Sequence, residues 1–136
     1  MGLDFSRLGA SRRAGGVALP TAPVLAMDPL WDTTQSTPLW IIDAAWADQD
    51  DLQFEVTTSA DVTFASATIT NHTVTTSEIT GTTIDFPGSA LANGNYIARC
   101  KFKHSGGSYS SYSNTVSFTV AAVSSGAAIL YPFLFV

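Results

Sequence analysis

The groups in this chain that could act in catalysis or hold a metal are few: His72 and His104, the single cysteine Cys100, and the carboxylate run Asp48, Asp50 and Asp51. An active site needs a nucleophile, a base or a metal at workable spacing. His104 borders a Gly/Ser-rich loop and His72 sits in a Thr-rich stretch. Neither is accompanied by a Gly-x-Ser-x-Gly elbow, a phosphate-binding loop, a His-Glu-x-x-His pair or a paired-cysteine metal motif. The three aspartates could offer oxygens to calcium, but the rest of a calcium loop is missing, and a solvated turn between strands accounts for them equally well. Cys100 cannot form an internal disulfide, and in the run NYIARCKFK it falls on the same side as Phe102, where a thiol behaves as a small hydrophobe. The expectation is a protein without catalysis, metal or cofactor.

Three other segments have compositions suited to contact. The loop HSGGSYSSYS, residues 104–113, sets Tyr109 and Tyr112 among serines and glycines, with Ser108 beside them. Tyrosines give large contact area at low entropic cost while small polar residues adapt around them, so the loop reads as a recognition loop. A plain hairpin turn whose tyrosines pack on the neighbouring strand is the alternative. The second segment is the amino-terminal arm, residues 1–19, with Phe5, Arg7, Leu8, Arg12 and Arg13.

The third is AAILYPFLFV, residues 127–136, in which Ile129, Leu130, Tyr131, Phe133, Leu134, Phe135 and Val136 are all large and apolar. A bilayer span needs about 20 such residues, so this tail is not expected to cross a membrane. Fully burying each large side chain is worth about 1.5–3 kcal/mol, and leaving them exposed promotes aggregation. The tail is therefore expected to dock on its own domain, on a symmetry mate or in a larger assembly. Pro132 excludes a regular central strand there and leaves an edge strand or a groove-filling segment.

Charge separates the arm from the body. Residues 1–16 carry three arginines against one carboxylate, net +2, while the remainder carries Arg99, Lys101 and Lys103 against ten carboxylates, net −7. An acidic body repels nucleic acid, which is not expected as a partner, whereas the basic arm suits an acidic protein surface. Apolar residues make up 46% of the 136 and charged residues 12%, which is enough to build a core for one domain. The opening MGLDFSRLGASRRAGG lacks the apolar run of a secretory signal, so classical export is not expected.

From Pro20 onward, short alternating runs are separated by turn residues, and no long run repeats at the helical period. In PLWIIDAAW, Trp40, Ile42, Ala44 and Trp46 share one face; the other carries Asp43, whose burial would be costly, so the Trp40 face is predicted inside. Leu52, Phe54 and Val56 alternate with polar residues. The Thr-rich middle, residues 63–86, is predicted to supply two or three edge strands ending with Ile84 and Phe86 inward. Tyr96, Ala98, Cys100 and Phe102 then face in while Arg99, Lys101 and Lys103 face out, and Val116, Phe118 and Val120 close the pattern. Pro87-Gly88, Asn93-Gly94 and Gly106-Gly107 interrupt the runs where the chain must reverse. About seven strands in about 100 residues make an all-β sandwich.

The stretch SALANGNYIARCKFKHSGGSYSSYSNTVSFTV resembles the last two strands of a fibronectin type III domain, and the part from Asp28 to Phe64 is similar to fibronectin-like and immunoglobulin-like modules of tailed-phage virion proteins. The resemblance covers residues 20–121 and implies an all-β, fibronectin type III-like (Ig-like) β-sandwich of about seven strands, flanked by an arm at 1–19 and by a linker and apolar tail at 122–136. It further implies that Tyr96 is a corner tyrosine bonding back to the upstream backbone, with Trp40 the other fold-defining residue. The function it implies is a non-enzymatic structural protein of a bacteriophage virion, a capsid decoration or tail component assembled in the host cytoplasm. Such a protein would dock on other virion proteins through its arms and form a homo-oligomer. Recognition of a host-surface glycan or protein by loop 105–113 is the alternative, and an accessory domain of a carbohydrate-active enzyme a third reading.

Overall fold

Residues 19–122, which the computed structural model describes, form seven strands: β1 Val24–Met27, β2 Leu39–Asp43, β3 Asp51–Thr58, β4 Thr68–Thr73, β5 Thr83–Pro87, β6 Gly94–Lys103 and β7 Val116–Val120. One 3-10 turn, Thr76–Glu78, follows β4. The strands make two antiparallel sheets, β1-β2-β5 and β4-β3-β6-β7. Because consecutive strands repeatedly change sheet, the fold is the expected all-β sandwich of the fibronectin type III-like kind. The described residues contain no helix long and apolar enough to cross a membrane.

The core follows from the alternation. Leu25, Trp40, Ile42, Ile84 and Phe86 of the small sheet face Leu52, Phe54, Ala98, Cys100, Phe118 and Val120 of the large one, all buried. Trp40, 1% exposed, reaches across the gap: its ring lies 5.1 Å from Phe54 and 5.0 Å edge-on from Phe118. Phe54 continues the cluster to Phe86 at 5.1 Å, and Phe118 continues it to Tyr96 at 5.6 Å. Each such pair adds about 0.5–1.5 kcal/mol beyond area burial. Gly88 suits this packing: a Cβ there would sit 3.2 Å from Trp40 Nε1 and 3.3 Å from the Pro38 carbonyl oxygen, so the neighbours would have to give by a few tenths of an ångström.

Several local expectations are corrected. Strand β1 was not anticipated, since VLAM is apolar throughout and shows no alternation. Ala44 and Trp46 do not extend β2: the Ala44 N–H bonds to Thr82 O at 2.8 Å, the chain turns, and the Trp46 indole donates to Ile42 O at 3.0 Å. Trp46 still packs inward, 4.6 Å from Phe102, but from the loop. In β3 the outward Glu55 and Thr57 are buried while inward-phased Val56 is only half-buried. The cause lies in what covers the outer face, described below. The Thr-rich middle, as expected, supplies edge strands, two of them: β4 and β5.

Two side chains fasten the sandwich where strand pairing ends. The Tyr96 hydroxyl donates to Ala92 O at 2.7 Å and holds the turn entering β6. Asn114, just before β7, accepts from the Leu25 N–H and donates to the Leu25 carbonyl, both at 2.9 Å. One amide thereby supplies β1 with the two bonds a neighbouring strand would give, and ties the small sheet to the large one.

The register also fixes the ends. The loop 44–50 joins Asp43 of β2 to Asp51 of β3 at one pole, where β1 begins beside Asp43. The loop 88–93 joins β5 to β6 at the opposite pole, where Val120 pairs with Gly94. There the Ala121 N–H bonds to Thr33 O at 2.7 Å and the Ala122 N–H to Asn93 Oδ1 at 2.8 Å. The chain therefore enters the sandwich at one pole and leaves it at the other.

The Asn114 clasp can be tested by substitution. Asn114→Ala removes both bonds from a buried backbone and is expected to lower stability by about 1–3 kcal/mol. Asn114→Asp keeps the shape but turns an acceptor toward the Leu25 carbonyl, so it should be at least as damaging at neutral pH. Urea unfolding of the three proteins checks both; an unchanged midpoint for Asn114→Asp would show that the clasp carries no weight.

Candidate functional site

Strand β6 presents Arg99, Lys101 and Lys103 on the outer face of the large sheet, alternate residues about 7 Å apart along the strand. They are all the lysines and arginines of the described residues. The segment that follows runs back alongside them. It turns at Gly106, whose φ of 78° suits glycine, with the Gly107 N–H bonded to His104 O at 2.8 Å. Then Ser110 and Ser113 lock onto β6. The Ser110 N–H donates to Phe102 O and the Phe102 N–H to Ser110 Oγ; the Ser113 N–H donates to Cys100 O and the Cys100 N–H to Ser113 Oγ. Serine hydroxyls here take the acceptor role that a paired strand's carbonyls would fill.

Because the serines repeat every third residue, so do the tyrosines beside them, and Tyr109 and Tyr112 are delivered to the outer face. Their rings interleave with the cations of β6. The Arg99 guanidinium lies 3.6 Å from the Tyr112 centroid and 4.1 Å from that of Phe64. Lys101 Nζ lies 4.7 Å from Tyr112 and 4.9 Å from Tyr109, and Lys103 Nζ 4.8 Å from Tyr109. The order across the face is Phe64, Arg99, Tyr112, Lys101, Tyr109, Lys103, a ladder of alternating rings and cations. Each contact contributes about 0.5–1 kcal/mol where exposed and more where desolvated.

The inner end of the ladder is closed by a carboxylate. Glu55 Oε1 accepts from Arg99 Nε at 2.9 Å and Glu55 Oε2 from the Tyr112 hydroxyl at 2.7 Å, with the carboxylate side chain 5% exposed. This cover is why Glu55 is buried on a nominally outward position. Phe64 reaches the ladder from the loop between β3 and β4 with a φ of 58°, a left-handed conformation uncommon for a bulky residue. Asp61 holds that loop in shape: its carboxylate accepts from the Thr57 hydroxyl at 2.7 Å and from the N–H groups of Ser66 and Ala65 at 2.9 and 3.0 Å.

Elsewhere the chemistry-bearing residues are dispersed. Asp48 accepts from the Thr76 N–H and Asp51 from the Thr73 hydroxyl, while Asp50, 1% exposed, accepts from the Ala47 N–H and pairs with His104 Nδ1 at 2.9 Å. The three carboxylates thus have separate partners, and among the described residues no group is arranged to hold a metal ion. His72 pairs with Glu78 at 2.6 Å. Burial raises the Glu78 carboxyl, but bonds from Thr75 and His72 outweigh it and leave it below its ordinary value of 4.5. Cys100 is buried, and burial pushes its thiol up to about 12.

Of the residues expected to make contacts, Tyr109 and Tyr112 are half-buried in the ladder and Ser108 is exposed beside it. Trp40 and Tyr96 lie in or against the core. Phe5, Arg7, Leu8, Arg12, Arg13, Ile129, Leu130, Tyr131, Phe133, Leu134, Phe135 and Val136 lie outside the described residues. Glu55 and Phe64 were not anticipated as parts of this face, and Ser110 and Ser113 belong to the expected loop but not with the role of fastening it to β6. The Tyr-Ser repeat in SYSSYS was the one signal that could have pointed to the serines.

Two outcomes follow. Arg99→Ala strands the buried Glu55 carboxylate and should cost about 3 kcal/mol, whereas Arg99→Ala combined with Glu55→Ala should cost less than the sum of the single changes, as a double-mutant cycle by urea unfolding would reveal. Asp61, held below its ordinary 3.8 first by the Ser66 N–H and then by Thr57, contributes stability above that value that is lost as pH falls through its folded pKa. Asp61→Asn should flatten the acid side of the stability profile.

No family model matches this chain, and no curated protein matches it. Among solved structures, the multi-modular, cell-surface-expressed chitinase ChiW of Paenibacillus sp. strain FPU-7 is similar at 14% identity and a TM-score of 0.42, over 82% of this chain. The chain spans 10% of the length of that protein.

Proposed function

We propose that this protein is a non-catalytic structural component of a tailed-bacteriophage virion, in which the sandwich is held between docking arms. The similarity of residues 28–64 to fibronectin-like and immunoglobulin-like modules of tailed-phage virion proteins supplies the setting. The observation that carries the role is the placement of the two chain exits at opposite poles, with the second pinned by Thr33 and Asn93. A basic segment before one pole and an apolar segment after the other suit a module that bridges two sites on neighbouring subunits, within a homo-oligomer or against other virion proteins. The engagement of His72, His104 and Cys100 in carboxylate pairs and the core supports a role without chemistry.

The ladder favours a second reading, recognition of a host-surface glycan or protein. Stacked cations fix Tyr109 before any partner arrives, which lowers the entropic cost of binding. Lys101 and Lys103 lie 4.9 and 4.8 Å from the Tyr109 ring centroid, so the face offers a phenol with two ammonium groups held beside it.

One set of variants separates the readings. Deletion of residues 1–19 or of 127–136 should abolish incorporation into particles, while Tyr109→Ala should leave incorporation intact. Normal incorporation of both deletions would overturn the structural role. Loss of host adsorption by Tyr109→Ala in fully assembled particles would establish the second reading.

A further inference from the structure

The side of the sandwich between the edge strands β4 and β5 is not sealed. Two adjoining cavities of about 150 Å³ each open there. The first is floored by Phe54 and Phe86; the second reaches Tyr96; Val56, Thr68 and Leu91 line both. Threonines and serines share the lining with the apolar side chains, and apolar surface predominates in both; a volume of about 150 Å³ accepts a benzene-sized ring. The groove therefore has room for large apolar side chains in sequence, with the edge of β4 running beside it.

The position of the groove points to its occupant. Its rim is the loop 88–93, the same loop whose Asn93 grips Ala122 through two bonds, at 2.8 and 3.2 Å. Leu91, which lines both cavities, is two residues from that anchor. Residues 123–130 can span at most about 26–29 Å, comparable with the length of β6, so the groove is within reach. The segment they deliver carries Tyr131, Phe133 and Phe135 at alternate positions, and an extended chain would turn all three rings to one side. Pro132 removes one backbone donor, which an edge position tolerates.

We infer that the groove between β4 and β5 is the seat of the chain's own carboxy-terminal segment, residues 127–136, docked in cis. A short tether raises the effective concentration of the tail at this groove to about the millimolar range, ahead of any tail from another copy. The site depends on the groove and the exit point and describes the free chain; to reach a neighbouring subunit in the assembly proposed above, the tail has to leave this groove. It accounts for how the free chain covers its most apolar segment.

The test uses the full chain with one cysteine at the groove and one in the tail. Thr68→Cys is exposed and lines both cavities, and it is combined in turn with Tyr131→Cys, Phe133→Cys and Phe135→Cys. Cys100, buried with its thiol pushed to about 12, stays out of the exchange. Thr82→Cys, at the opposite pole, serves as the control partner. Under mild oxidation, at least one Thr68 pair is expected to form an intrachain disulfide in a monomer, with a yield about tenfold above the Thr82 control, as an effective concentration difference of that order would give. Far-UV circular dichroism and light scattering verify fold and mass. Disulfide-linked dimers would assign the groove to a second copy's tail and overturn docking in cis. Yields equal to the Thr82 control in all three pairs would overturn the site itself.

Discussion

Trp40 is the side chain on which both sheets converge. It projects from the middle strand of the small sheet and meets Phe54 of β3 and Phe118 of β7, so a single indole sets the spacing of the layers at the centre of the fold. The requirement propagates outward. Close approach of the rim at residue 88 favours glycine, Phe86 follows Phe54 into the same cluster, and Tyr96 stacks on Phe118 while its hydroxyl secures the preceding turn. Because interiors are packed as densely as crystals, these positions cannot adjust independently.

The outer face of the large sheet is organised by a different physics. Glu55 is held by a guanidinium and a phenol, and the Phe64 ring packs on that guanidinium. A buried carboxylate is tolerable only when paired and hydrogen-bonded, and here two charged or polar donors meet that need. The consequence is a rigid second layer, polar in composition but packed, in which segment 109–113 is held along its backbone by serines and along its side chains by cations. A loop that reads as flexible from its glycines and serines is in fact pinned to β6 through most of its length.

This division explains what was legible in the amino-acid sequence. Strands β3, β6 and β7 were readable because one face of each is apolar in strict alternation, and Asp43 identified the inner face of β2 by exclusion. Strand β1 was not readable: four apolar residues between prolines carry no period, and its pairing is completed by Asn114 from almost the other end of the chain. The ladder was only half visible. Outward cations on β6 and tyrosines in the loop could be seen, but their interleaving depends on the left-handed Phe64 backbone and on the register that sets Glu55 opposite Arg99, both products of tertiary packing.

The placement of the chain exits has a mechanical consequence. Strands β1 and β7 both run from the entry pole to the exit pole, and they are joined by the Asn114 amide on Leu25. Tension applied between the two ends would draw these strands lengthwise past one another, loading the clasp and the ladder bonds of β6 and β7 together in shear instead of peeling them apart one at a time. A module threaded this way resists extension through many bonds at once, a property suited to any link that must bear force along its long axis.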